Sequence, residues 1–191
     1  MDKLKKINQK NDAYKILIRD DCSTDDTIEY IKKIKTSKKI KIILNKKNLG
    51  YGANIKKCLG YAIKRKFDYA IMIHGDDQYD SRYIPNIVKN LKKETIDIVT
   101  GSRMIKKRDA LKGGMPLYKF IGNKVITFYQ NFLLSTNFSE FHSGYRVYKV
   151  SSLKKVPFQL NSNDYCFDTE IIIQFVKFNL KILLNINIIF F

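Results

Sequence analysis

The sequence predicts an α/β protein built on a mainly parallel open sheet flanked by helices, and three observations carry that expectation. Short apolar runs, such as residues 14–19 and 69–73, stop abruptly at polar turns, and the second is continuous, as a strand covered on both faces is. Between them lie segments with apolar residues at helical spacing, for example Ile55, Leu59, Ala62 and Ile63. The length of 191 residues, with 45% hydrophobic and 13% aromatic side chains, suffices for one medium-sized core and little more.

In order, residues 14–19 form a strand that ends at Asp20 and Asp21. Ser23, Thr24, Asp25 and Asp26 then open a helix over 26–34, with Asp25 and Asp26 as cap acids favoured by its dipole. A second strand covers 39–44, and a glycine-bearing turn at 48–54 leads into a helix ending near Lys64. The strand at 69–73 runs into the acidic turn His74-Gly75-Asp76-Asp77-Gln78. A helix at 83–91, a strand at 96–100, a loop at 101–114, a helix at 116–134, a short strand at 144–148 and a helix at 167–178 follow, before an apolar stretch at 182–191. Repeated βα alternation points to one α/β domain over 1–191, with 1–13 a flexible, lysine-rich leader.

The 36 basic residues outnumber 18 acidic ones for a formal charge of +18, a balance that suits an anionic membrane surface, phosphorylated substrates or nucleic acid. No arginine-rich arm, nucleic-acid motif or zinc-type spacing accompanies the charge, so no nucleic-acid partner is expected. Three widely spaced cysteines support neither a disulfide framework nor a CxxC site, and point to a reducing cytoplasm. No apolar run reaches the roughly 18 residues that a span needs. The expected location is cytoplasmic, with peripheral contact at the inner face of the membrane. The basic loop Lys106-Lys107-Arg108, with Lys112 and Lys119, would receive an anionic acceptor or lipid headgroups, or is a solvated loop. The stripe Phe120, Ile121, Val125, Ile126, Phe128, Phe132 and Leu133 would serve a membrane interface or, as the expected use, the core.

Ligands of open α/β sheets sit at the carboxyl ends of strands, and both acidic turns lie at such ends. Bringing them together would make a polar, acidic cleft suited to Mg²⁺ or Mn²⁺ held by carboxylates and a diphosphate. The competing reading is that aspartates are common in turns and caps.

The stretch Asp20 to Thr27, DDCSTDDT, resembles the DDGSTDGT signature of family 2 glycosyltransferases, including the dolichyl-phosphate-mannose synthase-like branch. Asn48-Leu49-Gly50 resembles the family's NxG turn, HGDDQYD its DxDxQ-type metal turn, Gly101-Ser102-Arg103 its GSR, and Ser143-Gly144-Tyr145-Arg146 its SGFR element, all in the family's order. The resemblance implies a GT-A (nucleotide-diphospho-sugar transferase) fold and an inverting enzyme that moves a sugar from a nucleoside-diphosphate sugar to a polyprenyl phosphate or glycan acceptor. It assigns nucleotide-sugar contacts to Asp20, Asp21, Ser23, Asn48, Gly50, Asp77, Gln78, Arg103 and Arg146, and the divalent cation to Asp76 with His74. Glu140 and His142 become the candidate bases, and Asp168 and Glu170 the acceptor-side acids. For Glu140 the competing reading is a solvated loop acid, and for Asp168 and Glu170 helix-start acids.

Two departures stand out. His74 occupies the place of the first DxD aspartate, and neutral histidine suits Mn²⁺ better than Mg²⁺. The family's preceding strand, with its PxYNE-like turn, has the lysine-rich leader in its place, and a further strand usually follows 182–191. These departures lead to an expectation of weak activity, and to an alternative: a truncated, non-catalytic relative that binds a nucleotide or an anionic surface.

Overall fold

The computed structural model describes residues 14–34, 39–75, 84, 87–88, 95–102 and 116–187, the last four by their backbone alone. Its elements are β1 (Ile16–Asp20), α1 (Thr27–Lys32), β2 (Ile40–Leu44), α2 (Tyr51–Lys64), β3 (Tyr69–Met72), β4 (Ile98–Ser102), α3 (Leu117–Leu134), β5 (Arg146–Lys149), α4 (Val150–Leu153), a 3₁₀ turn (Phe158–Leu160), α5 (Phe167–Lys177) and β6 (Ile182–Asn187).

Four strands form one sheet in the order β3-β5-β4-β6, and β1 and β2 form a separate parallel pair in the register Ile16 to Ile40. The expected helix-flanked α/β sheet is present, but its strand directions are mixed. Strand β5 runs antiparallel to both β3 and β4, whereas β4 and β6 are parallel. Apolar runs report coverage of both faces, not the direction of neighbouring strands, so direction could not be read from them. Strand β4 is buried throughout. Its alternate side chains feed two cores: Ile98 and its register partner Tyr148 lie in a cluster with Leu59, Phe167 and Ile171, while Val99 and its partner Val147 lie in another with Ile87 and Ile96. Period-two alternation thus divides one sheet between two apolar layers.

Helix α2 buries Ile55, Leu59 and Ala62, one stripe of the predicted face. It lies beside β1 and β3, which do not pair with each other among the described residues, and lines a cleft of about 1460 Å³ between them. Both strands point their carboxyl ends toward the start of α2, where Asp21 meets Gly50 and His74 meets Tyr51.

That helix start is held tightly. Gly50 has φ +90°, and a Cβ there would lie 2.5 Å from the Asn163 carbonyl oxygen. The same oxygen accepts from the amides of Gly52 (2.8 Å) and Ala53 (3.2 Å), satisfying two donors of the first turn. A Cβ on Gly52 would meet Ser162 O at 2.4 Å and Asp164 O and Phe167 Cβ at 2.8 Å. Gly52→Ala is therefore expected to cost about 1–3 kcal/mol by forcing α2 away from the 162–164 segment. Gly60→Ala in the same helix, whose nearest neighbour is Gln159 Nε2 at 3.8 Å, should stabilise by about 0.5–1 kcal/mol. Urea midpoints of the two variants check the pair.

Two expectations are revised. At α1 the side-chain bond comes from Asp25, whose Oδ1 accepts from Thr27 N at 3.0 Å, whereas Asp26 at the cap makes none. On α3, Phe120 is buried, but Ile121, Val125, Ile126, Phe128, Phe132 and Leu133 are 49–76% exposed, so most of the stripe is surface rather than core. Among the described residues no helix is long and apolar enough to cross a membrane.

Candidate functional site

The turn after β1 is organised by its two aspartates in different ways. Asp20 is buried and turned back on its own loop, accepting from Ser23 N at 2.9 Å and from the Ser23 hydroxyl. Asp21 reaches across instead. Its Oδ1 accepts from Asn45 Nδ2 at 2.6 Å and Leu49 N at 3.0 Å, and its Oδ2 from Gly50 N at 2.9 Å. Asn48 Oδ1 accepts from the same Gly50 amide at 2.9 Å. One carboxylate thereby fastens the end of β1 to the turn that opens α2, and Asp21, Asn48 and Gly50 share the cleft wall with His74 and Gly75.

Between the aspartates and Ser23, Cys22 adopts φ 67°. The left-handed conformation costs a side-chain-bearing residue roughly 1–2 kcal/mol that glycine avoids. Cys22→Gly should raise stability by about 1 kcal/mol, read as a higher urea midpoint.

The second turn brings His74 to the same end of the cleft. Its ring packs on Gly144, where a Cβ would lie 2.3–2.6 Å from three ring atoms. It stands edge-on to Tyr51 (centroids 5.4 Å apart, 88°), and Tyr51 stacks on Tyr165 at 4.8 Å. The Tyr51 hydroxyl lies 2.8 Å from His74 Nε2 and donates to Asp168 Oδ2 at 2.7 Å. Burial, and then the Asp168 charge, raises the Tyr51 phenol well above its ordinary pKa.

Behind Asp168 stands Arg146, which is 0% exposed. Expected among the sugar-nucleotide contacts, it turns all three guanidinium nitrogens inward: Nε donates to Ser143 O (3.1 Å), Nη2 to Phe141 O (2.8 Å) and Nη1 to Asp168 O (2.8 Å). Nη1 also lies 3.2 Å from Asp168 Oδ1. Burial works against its charge, but the Asp168 carboxylate, with Tyr148 and Tyr51, outweighs that and holds the guanidinium above its ordinary pKa.

Glu140 is 1% exposed, which removes the reading of a solvated loop acid, and it accepts from Ser102 Oγ at 3.4 Å. His142 Nε2 lies 3.2 Å from Thr169 Oγ1. Neither residue lines the cleft wall described above. Glu170 spends both carboxylate oxygens on Ser162, taking its amide at 2.6 Å and its hydroxyl at 2.5 Å, so it ties the 161–166 segment to α5 as a helix-start acid does. Asp76, Asp77, Gln78 and Arg103 lie outside the described residues, as do Lys106, Lys107, Arg108 and Lys112.

The described part of the site thus unites Asp21, Asn48, Gly50 and His74 at one cleft end, with Asp168 behind Tyr51. Among the described residues no group of three His, Cys, Asp or Glu forms a cation site. His74 offers a ring nitrogen beside the acidic turn, a donor of the type Mn²⁺ accepts. Sequence reasoning missed Tyr51, Asn45 and Tyr165. Tyr51 directly follows the NxG turn, and that adjacency was the signal for it. Nothing local marked the other two.

The family model described as glycosyl transferase family 2 matches residues 4–157. An uncharacterised protein of Methanocaldococcus jannaschii is 31% identical over 176 residues, covering 92% of this chain and 70% of the relative. A second uncharacterised protein of that organism is 29% identical over 175 residues, covering 87% and 72%. A Methanococcus voltae protein named UDP-N-acetylglucosamine–dolichyl-phosphate N-acetylglucosaminyltransferase is 28% identical over 189 residues, covering 91% and 74%.

Proposed function

Because this chain belongs to glycosyl transferase family 2, with the helix-flanked α/β architecture of the GT-A fold, we propose that it moves a sugar, with inversion, from a nucleoside-diphosphate sugar to a polyprenyl-phosphate acceptor. The observation that carries the reading is the convergence of the Asp21 turn, the Asn48 to Gly50 turn and His74 at one end of a single cleft. Asp21 and Asn48 would meet the nucleoside, with Asp20 and Ser23 shaping their turn. Asp77, Gln78 and Arg103 would meet the diphosphate and sugar.

A divalent cation would be held by Asp76 with His74, and bound there it would neutralise charge on the departing diphosphate. Inverting transfer to a hydroxyl needs a base, whereas an ionised phosphate acceptor needs none. Glu140 or His142 would serve in the first case, and Asp168 would orient the acceptor in either. Two features support the acceptor class: the relative named for a dolichyl-phosphate acceptor, and the exposed apolar face of α3 with Lys119 and Lys124 on the same helix. That face would rest on an anionic membrane surface, apolar side chains in the interface and lysines at the headgroups.

Calorimetric titration of UDP- and GDP-sugars with and without Mn²⁺ tests the site. Binding should tighten with Mn²⁺ and weaken about 10–100-fold in Asp21→Asn, the loss of one charge-assisted contact. Indifference to Mn²⁺ together with unaltered binding in Asp76→Ala would sink it. The tie between His74 Nε2 and Tyr51 favours a second reading, a non-catalytic nucleotide-binding relative. Sugar transfer, or donor hydrolysis lost in Asp76→Asn, would exclude that alternative.

A further inference from the structure

Resting on the reading of the cleft as a donor site, we propose that Tyr51 and Asp168 are positioning residues that fix neutral His74 in its Nε2–H tautomer, so that any lone-pair contact of the ring is made through Nδ1. Protons counted along one line of atoms lead to this tautomer. The Tyr51 oxygen is 2.7 Å from Asp168 Oδ2 on one side and 2.8 Å from His74 Nε2 on the other. A phenol carries one proton and can donate it in one direction only. Asp168 is a carboxylate opposite the buried Arg146 guanidinium at 3.2 Å, and an ionised carboxylate accepts without donating.

The phenol proton therefore goes to Asp168. The opposite arrangement would set a phenol lone pair against a carboxylate oxygen at 2.7 Å. The Tyr51 oxygen is left as an acceptor toward His74, and Nε2 must carry the hydrogen. The ring cannot escape by turning freely. Gly144 leaves it a seat that a single added Cβ would fill, and Tyr51 is itself held by its stack on Tyr165. The line therefore runs Arg146, Asp168, Tyr51, His74, from the buried sheet to the cleft wall. Sequence separations of 23 and 117 residues between the partners show that the fold, not local sequence, assembles it.

The tautomer can be read directly in the metal-free full chain, without any donor. The protein has two histidines, so long-range ¹H–¹⁵N correlation spectra, assigned with a His142→Gln variant, isolate the His74 ring. At a pH where the ring is neutral, the expected spectrum is that of a single Nε2–H tautomer. An Nδ1–H ring would overturn the proposal.

Asp168→Asn makes a sharper demand. The introduced carboxamide should turn its oxygen to the Arg146 donors and its NH₂ group to Tyr51. The phenol would then accept from that NH₂ group and donate to His74, inverting the ring to Nδ1–H. A folded Asp168→Asn protein with unchanged Nε2–H would also overturn the proposal. Should that variant not fold, Tyr51→Phe decides: both tautomers should appear, and a spectrum identical to the parent's would refute the role of Tyr51. The proposal fails alone if sugar nucleotides bind to a chain whose His74 is Nδ1–H. The donor reading fails alone if the tautomer is as stated and no sugar nucleotide binds.

Discussion

Replacing Arg146 with alanine will destabilise the fold by about 3–5 kcal/mol, the cost of breaking a buried ion pair from one side. For a chain of this length that corresponds to a fall of roughly 10–15 °C in Tm. Arg146 opens β5, which is inserted between β3 and β4, and its side chain is wholly buried. Its removal takes their guanidinium donor from the carbonyl oxygens of Phe141 and Ser143, takes a second donor from the Asp168 carbonyl, and leaves the Asp168 carboxylate without its buried counter-charge. Each buried acceptor left without a donor costs about 1–3 kcal/mol, and the charged one more. Some of this will be recovered by water entering the cavity, which is why the sum stays below the simple addition. Arg146→Lys should fall between the parent and the alanine variant. It keeps a charge opposite Asp168 but cannot reach three carbonyls with one ammonium, because the forked geometry is lost. Thermal unfolding of the three proteins checks the order. A Tm for Arg146→Ala within about 3 °C of the parent would mean that the guanidinium is not the anchor of the 141–146 segment.

How much of this was legible in the sequence depends on the range of the interaction. Strand ends and turns were readable because their causes are local: apolar runs halted by Asp20 and His74, and a glycine turn at 48–50. The bond that joins the Asp21 turn to the glycine turn was not expected, since the amide of Gly50 lies 29 residues away from its acceptor. Three features were not readable. The Tyr51 to Asp168 bond spans 117 positions and leaves no periodic trace. The direction of β5 is invisible because a buried strand looks alike whichever way its neighbours run. The apolar stripe on α3 was placed mainly in the core, yet only Phe120 and Thr127 of that helix are buried. A helical period of apolar residues specifies a face, and only the fold decides what covers it. Glu140 was the reverse case: its position near the SGYR element was plain, but its burial came from packing that no short motif encodes.

Alkaline pH should unfold this protein steeply, and the sign follows from three protonated groups beside the cleft or in the core. Burial pushes the Cys58 thiol up to about 11, against the opposing charge of Arg19. Burial pushes the Tyr148 phenol up to about 12, with Arg146 opposing and Asp168 assisting. Tyr51 is raised further still, by burial and by Asp168. In the unfolded chain these groups titrate near their ordinary values, about 8.5 for cysteine and about 10 for tyrosine. Between the unfolded and folded values the native state holds protons that the unfolded state has released, so stability falls as pH rises. Below about pH 8 all three are protonated in both states and no dependence remains. From about pH 9 to 10 Cys58 acts alone, at about 1.4 kcal/mol per pH unit, and above pH 10 the two tyrosines join it while its own contribution fades near pH 11, for a steepest slope of about 3 kcal/mol per unit. An opposing effect exists, because the formal charge of +18 relaxes as lysines lose their protons, and less self-repulsion favours the compact state. Exposed charges in water interact weakly, about 0–1 kcal/mol per pair, and salt screens them further. The buried groups should therefore dominate in roughly 0.2 M salt. Urea midpoints measured from about pH 8 to 11.5 test this, and Tyr148→Phe isolates the cause: removing one of three titrating groups should reduce the slope above pH 10 by about a third. A slope unchanged in Tyr148→Phe would exclude the buried phenol as a source of the alkaline loss.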